Sequence, residues 1–135
     1  MRTAQRESPL ILLVESDSST RLVEANALLD EGYDVVESES AAEAIHILDS
    51  RDDFDAMIVD IDPICAPGGL ALARCAGERW CSMKMLVGSS WSEAEAESIA
   101  LAANFLARPR STGALTAAIC GLLTDSAMAE PLPAN

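Results

Sequence analysis

Between Pro9 and Thr124 the apolar positions follow two alternating patterns, short unbroken runs and helical stripes. Leu10-Ile11-Leu12-Leu13-Val14 is continuous and aliphatic, as expected of a strand buried on both faces of a parallel sheet. Asp17 or Ser18 can then cap a helix over about 19–31, with Leu22, Ala25, Leu28 and Leu29 facing inward and Gly32 as its stop. Tyr33 to Glu37 reads as a second strand. Ser40 and Glu43 form a capping box for a helix whose inner face is Ala41, Ala44, Ile45 and Leu48. Ala56 to Val59 is a third strand that runs straight into Asp60. A helix from Leu70 to Arg79 follows a Pro/Gly-rich loop, and Met83 to Val87 makes a fourth strand. The pattern closes with a helix over Trp91 to Ala100, a fifth strand at Asn104 to Ala107, and a last helix over about 112–123.

Five strands alternating with five helices predict an α/β fold, a doubly wound five-stranded parallel sheet covered on both faces. The expected organisation is a flexible N-terminus at 1–8, one domain over 9–123, and a disordered tail at 124–135 that carries two prolines and small residues. Ligands of such sheets bind beyond the carboxyl ends of the strands, at a topological switch point. Candidate chemistry is therefore sought just after each strand.

Composition narrows the classes. The 135 residues are half hydrophobic, enough for one core, and carry 22 Asp+Glu against nine Lys+Arg, a net charge of -13. That balance disfavours nucleic acid and anionic membrane surfaces as partners. No apolar run approaches the length of a spanning helix and no secretory signal opens the chain, so a cytoplasmic address is expected. Cys65, Cys75, Cys81 and Cys120 contain no Cys-x-x-Cys pair, and with His46 as the one histidine they do not make a zinc site.

Glu15, Ser16 and Asp17 follow the first strand, Asp60 and Asp62 the third, Ser89 and Ser90 the fourth, and Arg108-Pro109 the fifth. Folding gathers carboxylates, a hydroxyl and a cation at one end of the sheet. Two carboxylates ~4 Å apart repel by a few kcal/mol at an effective dielectric near 20, so the cluster calls for a cation. All-oxygen ligands favour Mg²⁺. An aspartate beside Mg²⁺ and a basic side chain can act as a nucleophile toward phosphorus, because the charges neutralise the phosphoryl oxygens.

The chain here resembles the receiver domains of bacterial two-component response regulators, the CheY-like (βα)5 group with a flavodoxin-like fold. The likeness rests on Ile11-Leu12-Leu13-Val14-Glu15-Ser16-Asp17, Gly32-Tyr33-Asp34-Val35-Val36, Met57-Ile58-Val59-Asp60-Ile61, Gly69-Leu70-Ala71-Leu72-Ala73, Leu86-Val87-Gly88-Ser89-Ser90 and Phe105-Leu106-Ala107-Arg108-Pro109. It implies that Asp60 is the phosphoacceptor, served by a histidine kinase or phosphotransfer protein. It further implies Mg²⁺ held by Glu15, Asp60 and Asp62, Ser89 as the switch hydroxyl, and Phe105 as the aromatic switch. Arg108 takes the place of the basic residue before the proline. Such a protein is a switch with slow self-dephosphorylation rather than a dedicated enzyme.

Three positions depart from the pattern. Ser16 stands where a second carboxylate usually ligates the metal, Arg108 where lysine is usual, and the loop from Ile61 to Gly69 lacks the usual Met-Pro. A lost oxygen ligand is expected to weaken Mg²⁺ by roughly 10–100-fold, with Asp17 or the Asp62 carboxylate as the available substitutes. Plainer roles exist for the same residues. Glu15 and Asp17 suit a helix N-terminus, Ser89 a helix cap, Arg108 a solvated surface and Phe105 the core.

Residues 1–67 carry 16 acids and 4 bases, whereas 68–135 carry 6 acids and 5 bases. The last helix has no charge over Thr112 to Leu123, so it is the expected surface for a downstream protein target or a homodimer. With no further domain expected after it, signalling would pass through protein contacts. The alternative within the same fold is a pseudo-receiver that binds a partner independently of phosphorylation. A phosphohydrolase reading of Asp60-Ile61-Asp62 lacks room for a cap domain. A flavin carrier would meet repulsion between FMN phosphate and Glu15 and Asp17.

Overall fold

The structure is a computed structural model that describes residues 8–62, 68–89, 104–107 and 110–129, with side chains of the last helix described to 124. Its elements are β1 (Leu10–Val14), α1 (Ser18–Asp30), β2 (Asp34–Ser38), α2 (Ala41–Ser50), β3 (Ala56–Asp60), α3 (Gly69–Arg79), β4 (Lys84–Ser89), β5 (Asn104–Ala107) and α4 (Thr112–Ala129). All strands are parallel, in the order β2-β1-β3-β4-β5, with registers such as Leu12↔Met57 and Ile58↔Leu86. The doubly wound sheet is as expected. Four of the five expected helices fall among the described residues; the one expected over Trp91 to Ala100 lies outside them.

Alternation along each strand divides the core in two. Leu10, Leu12, Val14, Met57, Val59, Met85 and Val87 face α2 and α3, whose Ala44, Leu48, Leu72, Ala73 and Ala76 cover them. Ile11, Leu13, Ala56, Ile58 and Leu86 face α1 and α4, covered by Ala25, Leu28, Leu115, Ile119 and Leu122. This two-sided burial is why β1 is uniformly apolar and β3 is apolar up to its last residue, Asp60. Asp60 continues the parity of Ala56 and Ile58, which turns its side chain toward the α1/α4 layer.

Helix ends follow local chemistry. The Asp17 carboxylate caps α1 by accepting from the Thr20 N–H at 2.8 Å. In α2 the Glu43 N–H donates to Ser40 Oγ at 3.0 Å, and the Glu43 carboxylate accepts from the Glu39 N–H, one residue outside the usual capping box. Gly32, with φ of 94°, ends α1 in a conformation that L side chains avoid.

Two expectations change. The inner face of α1 is Glu24, Ala25 and Leu28, while Leu22 and Leu29 are 58% and 50% exposed. The helix is rotated relative to its leucine stripe because Glu24 has a counterion in the core. The last helix, expected over about 112–123, continues to Ala129. No proline interrupts it before Pro131, and alanine favours helix.

The Thr20 backbone N–H, then its side chain, hold the Asp17 carboxyl below the usual carboxylate range. A depressed folded-state pKa contributes stability above the unfolded value and loses it as pH falls through the folded value. Asp17→Asn, which caps without titrating, is therefore expected to flatten the acid limb of stability measured by urea unfolding across pH 2–5.

Candidate functional site

Of the expected strand-end residues, Glu15, Ser16 and Asp60 lie together at the carboxyl edge of β1 and β3, on either side of the point where the strand order reverses. A cavity of about 190 Å³ opens there, lined by Val14, Glu15, Ser16, Val59, Asp60 and Gly69 among others. Glu15 is held from three directions. Its N–H donates to the Ser38 carbonyl at 2.9 Å, its carbonyl accepts from Arg21 Nη1 at 2.8 Å, and its carboxylate accepts from the Asp17 N–H at 3.0 Å. Helix α3 begins hard against β3. A Cβ at Gly69 would overlap the Asp60 carbonyl, so only glycine lets the helix start there, and Gly68 before it has φ of 83°.

Asp60 is 6% exposed and meets a cation that the sequence did not reveal. Arg110 Nη1 lies 3.3 Å from Asp60 Oδ1, while its Nε and Nη2 each donate to Glu24 at 3.1 Å. All three side chains are 7% exposed or less. Burial works against the charged guanidinium, but the hydrogen bonds and charge of Glu24, followed by Asp60, outweigh it and raise the Arg110 pKa. Gly88 makes room for this contact, since a Cβ there would overlap both Asp60 Oδ1 and Arg110 Nη1.

The other expected residues are placed as follows. Asp62 is buried and accepts from Ser89 Oγ at 3.2 Å; Ser89 belongs to the end of β4 rather than to the loop after it. Asp17 directs its carboxylate at the start of α1. Phe105 is partly buried against the α2/α3 layer, in register with Val87. Arg108 and Pro109 lie outside the described residues, as do Ser90, Trp91, Cys65 and most of the loop after Asp62. Glu24 and Arg110 were missed because one sits in an apolar stripe and the other beside a more conspicuous Arg-Pro pair.

Among the described residues no group of three His, Cys, Asp or Glu side chains converges in the manner of a closed metal site. Glu15 and Asp60 do line one cavity. Mg²⁺ is commonly held by one or two carboxylates, with water and phosphate oxygens completing its shell, so this pair fits a weakly bound, water-rich ion. No helix among the described residues is long and apolar enough to cross a membrane.

No protein-family model and no curated protein sequence matches the chain. Solved structures do. A CheY-like response regulator receiver domain protein from Methanospirillum hungatei JF-1 superposes with a TM-score of 0.79 at 21% identity, over 90% of this chain and 98% of that one. A response regulator receiver protein from Sinorhizobium medicae WSM419 gives 0.76 at 28% identity, over 87% and 96%. The response regulator TrrA from Thermotoga maritima, solved in complex with Mg(2+)-BeF, gives 0.72 at 23%, over 84% and 98%. The chain has the fold of CheY-like receiver domains.

Breaking a buried ion pair from one side leaves an uncompensated charge, at a cost of about 3–5 kcal/mol. Arg110→Gln and Glu24→Gln are each expected to destabilise on that scale in denaturant unfolding. The double variant strands neither Glu24 nor Arg110, although Asp60 still loses the guanidinium, and should lose clearly less than the sum.

Proposed function

We propose that this chain is a receiver of two-component signalling that accepts a phosphoryl group on Asp60 from a phosphohistidine donor. The carrying observation is the place of Asp60. It is a buried carboxylate at the end of the central strand β3, beside the switch-point cavity it shares with Glu15 and with a guanidinium on one oxygen. An Asp60 carboxylate oxygen attacks phosphorus and forms a new O–P bond. The P–N bond of the donor breaks, and its electron pair returns to the imidazole nitrogen, which takes a proton from water. The buried surroundings strengthen the electrostatic terms that orient the incoming phosphoryl group.

Glu15 and Asp60 are the side chains that would hold Mg²⁺, with Asp62 contributing backbone or carboxylate oxygen. The ion, when bound, supplies charge neutralisation for the phosphoryl oxygens. Ser89 serves as the switch hydroxyl in this reading, and its bond to Asp62 belongs to the unphosphorylated state. Phe105, on the neighbouring strand, is the aromatic that responds to its movement. Signalling then passes to protein partners. Leu22 and Val23, exposed on α1 close to the acceptor end, suit the phosphodonor protein. The small, uncharged outer face of α4, with Gly113, Ala117 and Gly121 exposed, suits a downstream target or a second copy.

Incubation with acetyl phosphate and Mg²⁺, followed by intact-mass measurement, should give one phosphoryl adduct that Asp60→Asn loses. No adduct from acetyl phosphate or from a purified kinase, at high Mg²⁺, would instead leave a binding module independent of phosphorylation. Titration calorimetry should find Mg²⁺ affinity in the millimolar range or weaker, because Ser16 supplies no carboxylate; tight micromolar binding would contradict this assignment.

A further inference from the structure

Glu24 occupies an inward position of α1 where an apolar side chain would cover the sheet without a desolvation cost. Its carboxylate takes two hydrogen bonds from one edge of the Arg110 guanidinium, leaving Nη1 on the opposite side directed at Asp60 Oδ1. A planar, five-donor guanidinium can bridge two acidic groups in this way, whereas a lysine ammonium is a point charge on a flexible stem. The contact further requires that residue 88 have no Cβ, and it is glycine. Buried ion pairs are weak contributors to stability compared with apolar packing. The arrangement of helix carboxylate, guanidinium, glycine gap and Asp60 is better explained by what it does to Asp60.

We propose that Arg110, rather than the Arg108 that precedes Pro109, is the cation that neutralises the phosphoryl group on Asp60, with Glu24 as its positioning residue and Gly88 as the opening through which it reaches. The assignment rests on Asp60 being the phosphoacceptor. Before transfer, Arg110 is shared, with two N–H bonds on Glu24 and a longer one on Asp60. A phosphoryl group carries about -1.5 to -2 charges at neutral pH, which draws the guanidinium toward Asp60 and loosens its hold on α1. In the transfer from acetyl phosphate, an Asp60 oxygen bonds to phosphorus as the P–O bond to acetate breaks, and acetate leaves with the electron pair. Arg110 stabilises the charge on the phosphoryl oxygens during that exchange.

The test follows the adduct on the full chain by intact mass over time, at fixed Mg²⁺ and varied acetyl phosphate. Because Arg110→Gln strands Glu24 in the core, the double variant Glu24→Gln/Arg110→Gln is measured beside it, and a melting temperature is recorded for each. Both should label at least about tenfold more slowly than the unmodified chain, by more than Arg108→Gln does. Arg110→Lys should recover part of the rate, and Gly88→Ala, which pushes the guanidinium off Asp60, should slow labelling while the protein stays folded. Glu24→Gln should lower the maximal rate with little change in the acetyl phosphate concentration giving half of it, a split that a general loss of stability would not produce. A folded double variant labelling at the unmodified rate, or a loss confined to Arg108→Gln, overturns the assignment of Arg110 and leaves Asp60 as the acceptor. An unmodified chain that takes no adduct lost in Asp60→Asn overturns the acceptor reading, and this proposal with it.

Discussion

Asp60 ends a strand whose other residues are apolar and buried on both sides, and a carboxylate there cannot remain charged without compensation. Much of the local architecture follows from that requirement. Strand parity turns the side chain toward the α1/α4 layer, so the counterion must come from that layer. Arg110, just ahead of α4, supplies it. The guanidinium is itself buried, and Glu24 on α1 supplies the second acceptor that its remaining edge demands. Among the described residues, α1, β3 and the approach to α4 are joined in this way through three charged side chains.

Space is as restrictive as charge. Gly69 lets α3 begin against the Asp60 carbonyl, and Gly88 leaves the gap in which carboxylate and guanidinium meet. The two glycines lie on opposite sides of Asp60, one serving its backbone and the other its side chain. The cavity shared by Glu15 and Asp60 opens where β1 and β3 diverge toward helices on different faces, as expected at the switch point of an open parallel sheet. The fold of receiver domains is thus combined here with a buried arginine, Arg110, set on the acid that ends β3.

The order of elements was legible in sequence because the sheet is covered on both sides. Leu10 to Val14 and Ala56 to Val59 have no polar position to confuse a strand with a loop, and Ser40 with Glu43 marks the start of α2 chemically. Asp60 and Glu15 were legible for a related reason, as acids placed directly after such runs. The orientation of α1 was not. Leu22, Ala25, Leu28 and Leu29 outline a plausible inner stripe, yet Leu22 and Leu29 face outward and Glu24 faces in. A single helix records hydrophobicity only; the arginine that makes a buried glutamate tolerable lies 86 positions away.

Local chemistry and periodicity specify the alternating elements, the apolar runs of the buried strands, the N-caps of α1 and α2, and the acids at the strand ends. Tertiary structure alone decided which charges would meet. Pairing Asp60 with Arg110, Arg110 with Glu24, and Asp62 with Ser89 depends on strand order and on the parity of each strand's last residue. Coulomb attraction and desolvation act through distance in space, and that distance is set only once the sheet has closed around them.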